Sequence, residues 1–255
     1  MNESTGRVTA IRRFPVKGLS PEDLASAPAE VGRPIVGDRA FAVENGPSGF
    51  DPAKPSKIPK TRFLCLMRNA RLAALSTRYD AGAGLLSIRQ ASEDLSFDLW
   101  SEDGRAELEA WLTGFMGEEA RGPLRLLPAP EGHTFSDTAR GVLSIINRAS
   151  VGAIGEMMDA PVDPLRFRGN LEIEGFAPWQ ELDWVGRTLR IGEVELRVVQ
   201  RTVRCAAVEV DPATARRDLP IPARLQKRLG HADCGVYAEV VSPGRLEAGA
   251  VVTLV

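Results

Sequence analysis

Apolar and polar positions alternate along much of this chain, and the period of the alternation, either two or about 3.6 residues, separates its strands from its helices. Residues 7–14 alternate as a strand that runs into Pro15-Val16-Lys17-Gly18, where proline and glycine end it and leave Lys17 on a turn. Short strands are predicted at 28–31 and at 38–43, the latter placing Arg39 just after the Gly37-Asp38 turn pair. Residues 45–59, rich in Gly, Pro, Ser and Lys and without an apolar period, read as an exposed loop. A hairpin is predicted from residues 72–79 and 85–89 across the Asp80 to Gly84 turn. Leu108, Trp111, Leu112 and Phe115 then recur at three- and four-residue steps, with acidic residues early and Gly117 beyond, which predicts a helix over 103–116.

A strand at 124–127 precedes Pro128-Ala129-Pro130, and a domain boundary is placed here. An apolar segment, 142–146, leads to a helix over 149–158, with Asn147 or Ser150 as its cap and Pro161 beyond its end. Residues 189–199 read as a hairpin turning at Gly192-Glu193, 201–205 as a polar turn, and 205–210 as a further strand closed by Asp211-Pro212. A short helix over 221–229 and a closing hairpin from 235–241 and 250–254 complete the chain. Many short strands, three helices and no regular strand–helix alternation predict a mainly β fold with some α, a β-barrel with helices packed outside. The expected units are 1–128, a β-barrel-like N-terminal portion, and 129–255, with the first strands free to cross that boundary and pack on the C-terminal unit.

At 255 residues and 44% hydrophobic content, the chain can bury a full core. A net charge of -2, with both signs mixed along the chain, argues against nucleic acid and for small-molecule partners. The polar N-terminus and the lack of any run of about 18 apolar residues predict a cytoplasmic protein without a membrane span. Three widely spaced cysteines and two histidines leave no Cys-x-x-Cys pair, disulfide framework or His-rich metal site. Phosphate-binding glycine loops are also missing, so phosphate would be held by arginine and lysine side chains.

The chemistry concentrates between Arg166 and Asp211. Cys205 has Arg201 and Arg204 beside it in sequence, a positive field that favours thiolate, the form that attacks or binds metal. The competing reading makes Cys205 a small buried hydrophobe at the start of a strand. The loop of His231 and Cys234 reads either as a second thiol–imidazole site or as a glycine-bounded turn. Cys65, between apolar neighbours, reads as core, as do Trp179 and Trp184.

Six motifs carry a resemblance: Phe14-Pro-Val-Lys17, Gly37-Asp-Arg39, Phe167-Arg-Gly-Asn170, Asp183-Trp-Val-Gly186, Arg190-Ile-Gly192, and Arg204-Cys205 followed by Val210-Asp-Pro212. In kind and order they resemble the MOSC family with its N-terminal β-barrel portion, and within it the branch of the mitochondrial amidoxime-reducing component and its bacterial relatives. The resemblance implies a molybdenum cofactor, Mo-molybdopterin, with no directly bound pyridoxal phosphate. It further implies Cys205 as molybdenum ligand, Lys17, Arg39, Thr138, Arg168 and Asn170 as cofactor contacts, and Asp137 or bound water as the proton carrier. The implied activity is reduction of N-hydroxylated compounds, with electrons from a separate iron–sulfur, haem or flavin protein; the alternative is a non-catalytic carrier of the cofactor or of a cysteine persulfide. This chain departs from the family pattern at Gly18, Gly169 and Val203, where the family often has Ser or Ala, Pro, and Ser.

Overall fold

The computed structural model describes residues 5–138 and 140–255. In chain order its strands and helices are β1 (Thr5–Arg13), β2 (Glu22–Leu24), β3 (Ser26–Ala29), β4 (Phe41–Asn45), β5 (Ser76–Asp80), β6 (Leu85–Gln90), β7 (Glu93–Asp98), α1 (Glu102–Met116), β8 (Leu124–Pro128), β9 (Leu143–Asn147) and α2 (Arg148–Met158). There follow β10 (Leu171–Glu174), β11 (Thr188–Ile191), β12 (Val194–Val203), α3 (Ile221–Leu229), β13 (Asp233–Ser242), β14 (Gly244–Glu247) and β15 (Val251–Leu254). The mainly β architecture expected from the alternation is the one observed.

Seven strands close into a barrel in the order β10-β9-β13-β12-β11-β15-β1, with β1 returning to pair with β10. Closure leaves the seven with no free edge, so their backbone donors and acceptors are satisfied around the ring. Only β9 and β10 run parallel, and α2 supplies their crossover. Period-two alternation turns Leu189, Ile191, Leu196, Val198, Val236 and Val252 inward, all at most 1% exposed. At roughly 1.5–3 kcal/mol for each buried aliphatic side chain, this interior is the main stabilising element of the C-terminal half. The first strands cross the boundary expected near residue 128: β1 completes the ring, β2 extends it and β3 pairs with β14.

Between the first strands and β9 lies a second core, built from the β4–β8 ribbon, the β5–β6–β7 sheet and α1. Helix α1 begins where the Ser101 hydroxyl accepts the Gly104 N–H and ends at Gly117, whose positive φ stops it; Leu108, Leu112 and Met116 face the core. Asn147, not Ser150, caps α2, accepting the Ala149 N–H at 3.1 Å; Ser150 donates instead to the fully buried Glu181 carboxylate at 2.8 Å.

Several expected elements differ. Residues 206–209 form a 3₁₀ turn in place of a strand: Val208 and Val210 are buried two residues apart, so alternation is satisfied without a ladder. The expected turn at 201–205 is mostly strand, since β12 runs to Val203. Residues 70–74 coil as 3₁₀ before β5, and β7 adds an unexpected third strand to that hairpin. The expected closing hairpin does not form, because β13 pairs with β12 and β9 while β15 pairs with β11 and β1. Alternation reports which face of a strand is buried but not which strand lies beside it.

Gly169 shows how tightly the segment between barrel and cleft is packed. A Cβ placed there would lie 2.4 Å from Ile146 Cγ1, so Ile146 occupies the space that the proline of the family pattern would need. We expect Gly169→Ala to lower stability by about 1–3 kcal/mol. In urea unfolding, Gly169→Ala combined with Ile146→Ala should lose less than the sum of the two single changes, because the second makes room for the first; strict additivity would refute the clash.

Candidate functional site

The end of β1 and the residues after it sit beside the segment that enters β10, and the two build one cleft. The Phe14 N–H donates to Asp38 Oδ1 at 2.8 Å, and the Arg39 N–H donates to the Phe14 carbonyl at 2.7 Å. These bonds hold the Gly37-Asp38-Arg39 turn against β1. Arg39 and Arg168 both adopt the left-handed backbone region, with φ of 50° and 53°, which aims their side chains at the same place. Their guanidinium carbons lie 4.5 and 4.2 Å from the centroid of the Phe14 ring. Two cation–π contacts on one ring, each worth about 0.5–2 kcal/mol, offset part of the repulsion between like charges.

Lys17, Arg39, Asp137, Thr138, Arg168, Asn170 and Cys205, the residues singled out from the sequence, all line this cleft. The nearly buried Lys17 ammonium donates to the Phe135 carbonyl at 2.9 Å and to Asp137 Oδ1 at 2.7 Å. Burial lowers its pKa and the Asp137 charge opposes that shift. Asp137 also receives Lys60 Nζ at 2.9 Å on its other oxygen. Burial alone would raise the Asp137 pKa, but the two ammoniums outweigh it and hold the carboxyl far below the usual carboxylate range. At neutral pH Asp137 is therefore an ion-paired carboxylate with no proton to donate. Burial and the neighbouring Arg39 charge lower the Arg168 pKa, and its Nη1 donates to the Leu19 carbonyl at 2.7 Å. Asn170 spends both ends of its amide on backbone, Nδ2 donating to the Arg12 carbonyl and Oδ1 accepting from the Ser144 N–H, each at 3.1 Å. Thr138 Oγ1 donates to the Arg140 carbonyl at 2.9 Å.

Cys205, half-buried, follows β12 and opens the 3₁₀ turn at Ala206–Glu209. The cation beside its sulfur is not one of the two neighbouring arginines. Arg201 lies on the outer face of β12, where it donates to the Leu182 carbonyl at 2.7 Å, and Arg204, just past the strand's end, turns inward to the carbonyls of Cys234 and Phe167 at 2.7 and 2.9 Å. Lys60 Nζ instead lies 3.4 Å from Cys205 Sγ. Two arginines brace this turn: Arg166 grips Asp218 with two bonds of 2.7 and 2.8 Å, and Arg217 donates to the carbonyls of Ala206, Leu66 and Met67 at 2.5, 2.7 and 2.6 Å. Cys65 also lines the cleft but is 6% exposed, and burial raises its pKa. Cys234 is fully buried, with its pKa pushed up to about 12 by desolvation. His231 takes the Asp233 N–H on Nδ1 at 3.1 Å, so the loop is a turn and not an exposed thiol–imidazole pair.

Sequence reasoning missed Lys60 and Tyr237. Lys60 stands just beyond the Gly- and Pro-rich loop with no motif to mark it, and Tyr237 is one aromatic residue within an alternating strand. Six cations line the cleft, Lys17, Arg39, Lys60, Arg166, Arg168 and Arg204, with two carboxylates, Asp38 and Asp137. Buried Thr202 Oγ1 and Arg204 Nη2 line the same cleft without hydrogen-bond partners. The arrangement suits an anion with polar edges. Among the described residues no three His, Cys, Asp or Glu side chains converge as a metal-ligand set.

The chain is a closed barrel with a basic cleft lined by two cysteines, the buried Cys65 and the half-buried Cys205. Residues 131–253 match the family model described as "MOSC domain", and this stretch of the chain is a MOSC domain. The chain is 31% identical over 141 residues to molybdenum cofactor sulfurase of Drosophila willistoni, covering 51% of this chain and 17% of that protein. It is 28% identical over 137 residues to mitochondrial amidoxime-reducing component 1 of Danio rerio, covering 47% of this chain and 40% of that protein. The chain thus spans less than half the length of either relative. It is also similar to the solved structure of the YUAD protein from Bacillus subtilis, with a TM-score of 0.47 and 13% identity over 98% of this chain and 95% of that one.

Replacing Asp137 by Asn would leave two lysines without their shared counter-ion. Because the folded-state pKa of Asp137 is depressed, its contribution to stability is full above the unfolded value of about 4 and fades as pH falls below it toward the folded value. We expect Asp137→Asn to cost on the order of 1 kcal/mol at pH 7, discounted for its partial exposure. Urea midpoints should show the gap to wild type narrowing below about pH 4. A gap that is constant or grows on acidification would refute this account.

Proposed function

We propose that the cleft holds the Mo-molybdopterin form of the molybdenum cofactor and that the protein is a molybdenum-dependent oxidoreductase acting on N-hydroxylated small molecules. The observation that carries this reading is the convergence of Lys17, Arg39, Arg168 and Cys205 on one cleft of a MOSC-containing chain. Kinship with molybdenum cofactor sulfurases and with an amidoxime-reducing component supports it. The residues present fit the group. Lys17, Arg39 and Arg168 suit a terminal phosphate, while Thr202 Oγ1 and Arg204 Nη2 of the cleft wall have no partner within the protein. Cys205 offers the soft sulfur that molybdenum accepts beside its dithiolene.

When bound, the cofactor would supply two-electron redox chemistry at the metal. Reducing an N-hydroxylated compound consumes two electrons and two protons, breaks the N–O bond and releases water. Asp137 holds Lys17 and Lys60 in place as an ionised counter-ion, so proton delivery falls to bound water or to Tyr237, which lines the cleft and whose burial raises its pKa and keeps its hydroxyl protonated. Arg217 ties the Cys205 turn to Leu66 and Met67 of the N-terminal half, and Arg166 holds the following segment at Glu209 and Asp218. The sequence has no Cys-x-x-Cys pair for an iron–sulfur cluster, and electrons would come from a separate protein. Among the described residues, no helix is long and apolar enough to cross a membrane.

Expression in a cofactor-producing host, followed by metal analysis and a reduction assay with an artificial electron donor, tests the reading. We expect bound molybdenum and turnover; metal without turnover would favour a carrier, and no metal would refute both. Cys205→Ser swaps a soft sulfur for a hard hydroxyl at nearly constant volume. It should lower activity at least about tenfold and change the metal's absorption or paramagnetic signal while much of the pterin stays bound. Cys234→Ser, buried away from the cleft, should cost about 1–3 kcal/mol of stability and leave that signal unchanged. An unaltered signal in loaded Cys205→Ser would remove Cys205 from the metal.

A further inference from the structure

Arg166 and Arg204 are spent on Asp218 and on backbone carbonyls, and the other cations of the cleft fall into two sets on either side of the Asp137 ion pairs. Lys17, Arg39 and Arg168 form the inner set, gathered around Phe14 and Phe135. Lys60 stands alone on the other side. Its side chain is 31% exposed against 10% for Lys17, and it comes from the 3₁₀ turn at Lys60–Arg62, at the end of the loop. It is also the cation that reaches the Cys205 sulfur, at 3.4 Å.

Two ammoniums share one carboxylate here, so a positive charge is left over along the line Lys17–Asp137–Lys60, and the accessible end of that line is the Cys205 end. A cationic group that only braced a loop would gain nothing from standing beside a half-buried thiol. Three further polar atoms of residues lining the same cleft, Arg166 Nε, Thr202 Oγ1 and Arg204 Nη2, are buried and unpartnered, so its polar groups are not saturated by the protein itself. We propose that Lys60 makes the Cys205 face a second anion subsite, which takes the anionic oxygen of a small substrate while the inner set holds the cofactor phosphate. The substrates are then small molecules carrying a carboxylate or another oxyanion close to the group that reacts. This inference rests on the reading of Cys205 as the reacting face, but its test does not require the cofactor.

The ligand-free protein is treated with iodoacetate or with iodoacetamide at one pH, and alkylation of Cys205 is followed by mass spectrometry. The reagents are nearly the same size and differ in charge. Both attack the same sulfur, so any change in thiolate fraction cancels in the ratio of their rates, and the buried Cys65 and Cys234 report on unfolding. The ratio of iodoacetate to iodoacetamide rates should exceed that of N-acetylcysteine by about fivefold, the effect of one nearby, partly screened charge. It should fall to the reference level in Lys60→Gln and persist in Lys60→Arg. An unchanged ratio in Lys60→Gln, or a Cys205 that neither reagent labels, would overturn the proposal. In loaded protein, Lys60→Gln should raise KM about five- to tenfold for anionic substrates and leave neutral ones nearly unaffected; equal effects on both would also overturn it. Failure to load molybdenum would count against the proposed function alone, because the alkylation ratio is measured without metal.

Discussion

Everything in the cleft depends on β1 closing the barrel against β10. The bond from the Arg12 N–H to the Asn170 carbonyl, 2.7 Å, continues that pairing past the end of the strand, and Asn170 Nδ2 returns a bond to the Arg12 carbonyl at 3.1 Å. The same amide accepts the Ser144 N–H from β9. One buried side chain thus joins three neighbouring segments of the ring. Because Phe14 and Lys17 follow β1 directly while Arg168 precedes Asn170 by two residues, closing the ring brings the cations together. A barrel with β1 displaced would lose both its seventh strand and its anion site.

Charge, in turn, explains why the cleft is braced so heavily. Gathering arginines and lysines in a partly buried space is costly unless partners or ligands neutralise them. Asp38 pairs with Arg39, Asp137 bridges two lysines, and Asp218 holds Arg166. Arg168 has no carboxylate within salt-bridge distance among the described residues and rests on the Leu19 carbonyl and the Phe14 ring. The excess charge is an unfavourable term in the ligand-free protein that a bound anion would remove. A site built in this way gains affinity from strain already present before the ligand arrives.

The sequence made the strands legible because alternation is a local property, and the barrel interior follows from it residue by residue. It did not disclose partners: β13 and β15 both alternate cleanly, yet they sit apart in the ring, since no local signal encodes neighbour order. The candidate cleft was legible through the resemblance, which brought Lys17, Arg39, Asp137, Thr138, Arg168, Asn170 and Cys205 to one place. Lys60 could not be found this way. It reaches Cys205 across 145 residues of chain, and its neighbours Pro59 and Thr61 say nothing about that contact. The positive field at Cys205 was expected from adjacent arginines, but successive side chains of an extended chain point to opposite faces, which turns Arg204 away from the thiol, and Arg201 is spent on the Leu182 carbonyl.

The departures from the family pattern find local reasons in the packing. Gly18 has φ of +87°, and a Cβ there would lie 2.9 Å from the Leu64 carbonyl oxygen, so a serine would strain the turn that carries Lys17. Ile146 fills the space that a proline at position 169 would need. Val203 is 69% exposed and lines the cleft beside Cys205, an apolar lip where a serine would offer a hydroxyl. Positions 18 and 169 lie in tightly packed backbone next to Lys17 and Arg168. The third departure, at Val203, alters the mouth, the part of the cleft that a substrate would meet. Under the proposed function, binding of the cofactor and choice of substrate would be separable: Lys17, Arg39 and Arg168 lie at the inner end of the cleft, while Val203 and Lys60 are its more exposed side chains.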